Sequence, residues 1–207
     1  MPFDNNKPAL ILDLDQTLIS AESTDDFVYE DHEVRNKLIE HANMDDYYIV
    51  YSRPHLQKFL DYAFKNFNVT VWTAASKDYA LFIIEKIILN NKPERKLDFI
   101  FFSYHCDLSR KTKKYSKELC MLWDIHKLPG YTVNNSVIMD DYVEDVHKAQ
   151  PNNCIIVPPY EFIDKNSDND TFLIDVIPQL DKMRKRIIDG KKNLAKDINV
   201  NMKTLKN

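Results

Sequence analysis

From Ala9 to Leu14 the chain reads Ala-Leu-Ile-Leu-Asp-Leu, a continuous apolar run that ends in acid. A strand with one wet face alternates apolar and polar side chains, so a run like this belongs to a strand covered on both faces. Such strands are found in parallel sheets flanked by helices. The sequence that follows keeps alternating short strand-like runs with helical patterns. His55 to Asn66 carries Leu56, Phe59, Leu60, Ala63 and Phe64 at helical spacing, and Val69 to Thr73 is β-branched and aromatic, as strands are. Ser76 then stands where an N-cap belongs, and Ile83, Ile84, Ile87 and Ile88 form the apolar stripe of the next helix. Further strands are predicted at Phe99 to Phe102, Val137 to Met139 and Cys154 to Val157, the last stopped by Pro158-Pro159. A helix is predicted from Thr171 to about Ile188, with Pro178 kinking or splitting it.

The predicted architecture is an α/β, Rossmann-like fold with a central parallel sheet of about five strands flanked by helices. Between the first strand and His55 lie about forty residues rich in Asp, Glu and Tyr, with one strand at Tyr47 to Tyr51. They read as a small β-rich insertion, about residues 21–50, and not as a large cap. One domain over residues 1–183 and a basic tail over 184–207 account for the 207 residues, whose 44% hydrophobic content suffices for a core.

Gly130 and Gly190 are the only glycines. A dinucleotide fingerprint or a nucleotide P-loop needs several, so that backbone N–H groups approach phosphates closely, and neither can be written with these residues. Any phosphate must therefore be held by side chains, a metal ion or an ordinary helix N-terminus. The net charge of −4 leaves no nucleic-acid footprint on the chain as a whole. Lys182 to Asn207, however, carries nine Lys/Arg against two Asp, a face suited to an acidic partner or simply to water. Cys106, Cys120 and Cys154 have neither zinc nor disulfide spacing, which points to a reducing compartment, and Cys120 falls on a helical pattern that reads as core. Residues 1–8 lack the apolar segment of a signal peptide, so the expectation is a soluble intracellular protein of the nucleus or cytoplasm.

Open parallel sheets bind ligands beyond the carboxyl ends of their strands. There the sequence puts Asp13-Leu14-Asp15 after the first strand, Thr73 at the end of the second and Asp140-Asp141 after the fourth. Asp168-Asn169-Asp170, Asp25-Asp26 and Asp45-Asp46 repeat those spacings, but only Asp13/Asp15 and Asp140/Asp141 follow a strand-like run. Both pairs should then meet at one edge of the sheet. Such clusters repel unless a cation neutralises them, and all-oxygen ligands suit a hard ion such as Mg²⁺. One aspartate could then attack phosphorus while a second, two residues on, exchanges protons with the leaving group. The plain alternative is that these acids cap helices or line a wet sheet edge.

The motifs, in order, resemble a known family. Asp13-Leu14-Asp15-Gln16-Thr17-Leu18 is similar to the Asp-x-Asp-x-Thr signature of the haloacid dehalogenase superfamily. The likeness continues through Arg53-Pro54-His55 with Phe59-Leu60, and Trp72-Thr73-Ala74-Ala75-Ser76 with Tyr79-Ala80. Lys117-Glu118-Leu119, Ile138-Met139-Asp140-Asp141 and Asn152-Asn153-Cys154-Ile155-Ile156-Val157 extend it. Together they resemble the RNA polymerase II C-terminal-domain phosphatases, especially the small, NLI-interacting-factor-like ones, over about Pro8 to Met183.

The resemblance implies a HAD-like fold and a role at each matched position. Asp13 would be the nucleophile that forms an aspartyl-phosphate, and Asp15 the general acid and then base. Asp13, the backbone carbonyl of Asp15, and Asp141 with help from Asp140 would hold Mg²⁺. Thr73, Ala74 and Lys117 would bind the phosphoryl oxygens; Lys113 and Lys114 stand nearby, and the following Glu-Leu singles out Lys117. Two positions depart from the pattern: Asp141 stands where the small members have Asn, and Tyr104-His105-Cys106 where relatives often have an arginine.

The implied activity is that of a Mg²⁺-dependent phosphoserine/phosphothreonine protein phosphatase, with a polymerase-tail-like segment as one substrate. The small insertion favours a protein substrate, because an enzyme without a lid has an open cleft while small metabolites need enclosure. The alternatives are a phosphatase of nucleic-acid ends or small phosphate esters, and an inactive phosphopeptide-binding module on the same fold.

Overall fold

The computed structural model describes residues 3–24, 39–45, 47–191 and 198. Strand β1 (Ala9–Leu12) leads into a small antiparallel sheet of β2 (Ile19–Ser23), β3 (His41–Met44) and β4 (Tyr48–Ser52), followed by helix α1 (Leu56–Asn66) and β5 (Asn68–Trp72). Helix α2 (Lys77–Ile83) continues as a π-helical stretch over Ile84–Leu89, then come β6 (Ile100–Phe101), α3 (Ser103–Thr112) and a π turn at Met121–Ile125. Strand β7 (Ser136–Asp140), a π turn at Val143–His147, β8 (Cys154–Ile156), α4 (Phe172–Asp175) and α5 (Ile177–Ile188) complete the chain order. Pro178 does split the last helical pattern: it sits in the first turn of α5, where its missing N–H has no partner to lose.

The five-stranded sheet is parallel, in the order β6-β5-β1-β7-β8, and β1 lies at its centre. Its period-two alternation is split between two apolar layers. Leu10 and Leu12 pack with α1 and α2, while Ala9 and Ile11 pack with Trp72, Leu122 and Val146 on the other side. All four are fully buried, as the unbroken apolar run requires. Alignment of Ala9 with both Asn68 and Ser136 brings the ends of β5, β1 and β7 level, and Asp13 N–H still donates to Met139 O at 3.1 Å beyond the strand.

Helix α3 was not foreseen; its sequence is polar and it buries only Cys106 and Ser109. Cys120 is half-exposed rather than core, because the helical pattern there is reduced to a single π turn. Helix α5 runs through Ile188 into the stretch read as tail, and Ile187 and Ile198 pack against the core. The rest of that tail, 192–197 and 199–207, lies outside the described residues, as do 25–38 of the insertion, with Asp25-Asp26, and Asp46. Among the described residues no helix is long and apolar enough to cross a membrane.

Arg53, immediately after β4, bolts these parts together. Its Nε and Nη2 donate to the two carboxylate oxygens of Asp170 at 2.9 and 2.7 Å. Nη1 reaches the carbonyls of Thr17 and Pro158 at 3.0 and 2.9 Å. The guanidinium also stacks over Phe172, 4.9 Å from the ring centroid. Both charges are almost wholly enclosed, at 0% and 4% exposure, so removing either strands the other in a dry site. Arg53→Met is expected to cost about 3–5 kcal/mol in urea denaturation; a loss below about 1 kcal/mol, the scale of a surface ion pair, would refute the assignment.

Candidate active site

The level ends of β1, β5 and β7 bring Asp13, Thr73 and Asp140 to one floor, and each is buried. Lys117 enters from the segment between α3 and β7. Its Nζ donates to Asp13 Oδ1 at 2.6 Å and to Asp140 Oδ2 at 2.7 Å. Asp15 and Asp141 are half-buried above them, and Ala74 is exposed beside Thr73. Lys113 instead pairs with Asp124 and Lys114 lies over Tyr115, so Lys117 alone of the three lysines points into the site.

Loop contacts hold Lys117 in place. Gln150 Nε2 donates to Lys117 O and Gln150 Oε1 accepts from Leu119 N–H, both at 2.8 Å. Asp145 Oδ1 accepts from Ser116 N–H at 2.9 Å. Gln150 and Asp145 both follow β7, so the loop that carries Asp140 also fixes its counter-ion. Sequence reasoning missed these two; polar side chains after a strand gave no sign of where they would turn.

The loop after β1 turns sharply because Gln16 adopts φ 56, a left-handed conformation unusual for a residue with a Cβ. Gln16 N–H donates to Ile19 O at 2.8 Å and its carbonyl accepts from Tyr160 N–H at 2.7 Å. Its amide side chain bonds Glu161 Oε1 at 2.8 Å. Thr17 Oγ1 lies 3.5 Å from Asp13 Oδ2. Ser76 caps α2 by accepting from Tyr79 N–H at 3.4 Å, and the Tyr79 hydroxyl donates to Asp15 Oδ1 at 2.6 Å. Tyr79 belonged to a matched motif, but its role was not foreseen.

Burial raises the Asp13 carboxyl well above the usual carboxylate range; Lys117 opposes the rise and Asp140 adds to it. Burial raises Asp15 as well, against the hydrogen bond from Tyr79. Asp141 is pushed up by burial and then by Asp140. For Lys117 burial favours the neutral amine, but Asp13 and Asp140 together outweigh it and hold the ammonium firmly protonated. Four carboxylates thus face one ammonium, and the excess negative charge invites a further cation.

Oxygens of Asp13, Asp140 and Asp141 lie within 4.8 Å of one another, the one grouping of potential metal ligands of this kind among the described residues. Carboxylates alone, with negative charge in excess, are the donor set of a hard divalent ion, so the residues fit Mg²⁺. His105 takes no part in such a group: its Nδ1 accepts from Phe102 N–H at 3.1 Å and its ring stacks on Phe101 at 4.1 Å. Asp170 of the other Asp-x-Asp pair is the partner of Arg53 and lies outside the site.

The profile of the NLI interacting factor-like phosphatase family matches residues 8–191. The chain is 46% identical over 169 residues to the CTD phosphatase-like protein 355R of Invertebrate iridescent virus 6, covering 80% of this chain and 92% of that one. It is 41% identical over 189 residues to the protein of the same name from Invertebrate iridescent virus 3, covering 88% and 100%. Among solved structures, the fission yeast RNA polymerase II CTD phosphatase Fcp1-R271A bound to beryllium fluoride has the same fold, with a TM-score of 0.54 and 20% identity. That match covers 90% of this chain but 51% of Fcp1, about half its length.

Binding of Mg²⁺ at three mutually repelling carboxylates should favour the folded state, by about 2.7 kcal/mol at a hundredfold excess over Kd. Calorimetry of the metal-free protein is expected to show the thermal midpoint rise on adding Mg²⁺, and Asp141→Ala, which leaves no side-chain oxygen to ligate the ion, should shrink that rise. An equal rise in the variant would remove Asp141 from the ion's ligands.

Proposed function

The chain belongs to the NLI interacting factor-like phosphatase family, and from that premise we propose that it is a Mg²⁺-dependent phosphoserine/phosphothreonine protein phosphatase working through an aspartyl-phosphate. The observation that carries this reading is the buried Lys117 ammonium between Asp13 and Asp140, with Asp15 two residues beyond Asp13 at the mouth of the same cleft. A nucleophile needs to be stripped of water and aimed, and Asp13 is both, enclosed at 6% exposure and tied through Oδ1 to Lys117.

In this reading Asp13 attacks phosphorus. Asp15 gives its proton to the departing oxygen, then takes one from the hydrolytic water. Lys117, the Thr73 hydroxyl and the exposed backbone at Ala74 bind the phosphoryl oxygens and offset their charge. Mg²⁺, held by Asp13, Asp141, the Asp15 carbonyl and Asp140, would supply charge neutralisation between nucleophile and phosphate. The protein-substrate part rests on the length of chain between Asp13 and Thr73, sixty positions largely used by the small sheet and α1, which is too short for a large helical lid over the site. A phosphorylated segment of a large partner, such as a polymerase-tail-like repeat, can enter there.

The test is phosphate release with Mg²⁺ from phosphopeptides, nucleotides and phosphorylated oligonucleotides. Phosphopeptides are expected to turn over, with Asp13→Asn lower by at least about 10³-fold and EDTA abolishing activity. Equal rates for wild type and Asp13→Asn would overturn the mechanism, and turnover of oligonucleotides alone would replace the protein substrate by nucleic-acid ends. Tight phosphopeptide binding without turnover would instead make the chain a binding module.

A further inference from the structure

Asp15 has to do two jobs at one oxygen, and something must keep that oxygen aimed. Half-buried on the loop after β1, it is met by the Tyr79 hydroxyl, which donates to Oδ1 at 2.6 Å. Tyr79 itself is fixed at several points. Its N–H donates to the cap residue Ser76, the neighbouring Ala80 is fully buried, and its ring meets that of Tyr48 on β4 edge-on, with centroids 6.0 Å apart. The hydroxyl is thus held by the same short segment that carries Thr73, and by the small sheet opposite.

We infer that Tyr79 is a positioning residue for Asp15, engaging Oδ1 so that Oδ2 is the oxygen that carries the mobile proton and faces the leaving group. The inference rests on the phosphatase reading above. In the first step an Asp13 oxygen bonds to phosphorus, the bond from phosphorus to the leaving oxygen breaks, and the proton on Asp15 Oδ2 goes to that oxygen. In the second, water attacks phosphorus, its proton returns to Asp15, and the bond to Asp13 breaks to release inorganic phosphate. Without the Tyr79 hydroxyl the Asp15 carboxyl loses its 2.6 Å tie and keeps only its hydrogen bonds with Thr73 and its own backbone, and a general acid out of line loses much of its usual contribution of about 10²–10⁴-fold.

The readout is dependence on the leaving group. A serine alkoxide needs a proton in order to depart, whereas 4-nitrophenolate leaves without one. kcat/KM reports only the steps through formation of the aspartyl-phosphate, where the proton is given. Tyr79→Phe removes the hydroxyl and keeps the ring against Tyr48. Its kcat/KM for a phosphoserine peptide is expected to fall about tenfold or more beyond any fall for 4-nitrophenyl phosphate, and in an Asp15→Ala background the same change should shift that ratio no further. Misfolding lowers both substrates together and cannot produce the ratio. Equal losses on the two substrates, no loss on either, or a further shift in the Asp15→Ala background would overturn the assignment while leaving the phosphatase reading intact. Wild-type protein that turns over neither substrate would overturn that reading, and this inference with it.

Discussion

The Lys117 ammonium between Asp13 and Asp140 is the interaction on which the arrangement of this protein depends. Parallel pairing of β1 with β7 puts the acids that end both strands side by side, in a place closed to water. Two unscreened carboxylates there would force the strands apart or become protonated. The cation comes from neither strand but from the crossover between α3 and β7, and it stays in place because Gln150 and Asp145, on the far side of β7, grip the backbone around it. Sheet, crossover and following loop are therefore closed around one charge. That one charge does not balance all the acids, and the remainder is available to a divalent ion.

Much of this was legible in the sequence, for reasons that differ by element. β1, β5 and β7 are buried at every position, so β1 is wholly apolar and β5 and β7 read as short β-branched and apolar runs behind a polar first residue, with their ends marked by the acids and the threonine. The small sheet was legible in only one strand. Ile19–Ser23 and His41–Met44 alternate apolar and polar residues over only about four positions, too short a pattern to stand out from a loop, and their pairing with β4 makes them strands. Lys117 could be told from Lys113 and Lys114 only by the residues after it, since three lysines within five positions differ in fold and not in composition. The Arg53–Asp170 pair joins residues 117 positions apart, and Asp170 stood in the sequence as one more member of an acidic triplet. Long-range pairing of ordinary charged residues leaves no local pattern to read.

The scarcity of glycine shows how a phosphate-type site is built by other means. Gly130 and Gly190 are both spent at positive φ, outside the loops after β1 and β7 that carry the acids, and a Cβ at Gly130 would collide with the Phe3 ring. The left-handed turn that the site itself needs is taken by Gln16, at a cost of about 1–2 kcal/mol for a residue with a Cβ. What glycine would give in freedom, Gln16 replaces with contacts: its N–H, its carbonyl and its amide side chain are all bonded, two of them to Tyr160 and Glu161 in the loop after β8. Arg53 reaches the same two loops through Thr17 and Pro158. The loop that carries Asp13 and Asp15 is thus braced from three directions before any ligand arrives. A glycine-rich loop moulds its backbone to the phosphate; a braced loop can instead present fixed side chains to it, and fixed charges stabilise a transition state without reorganising as it forms.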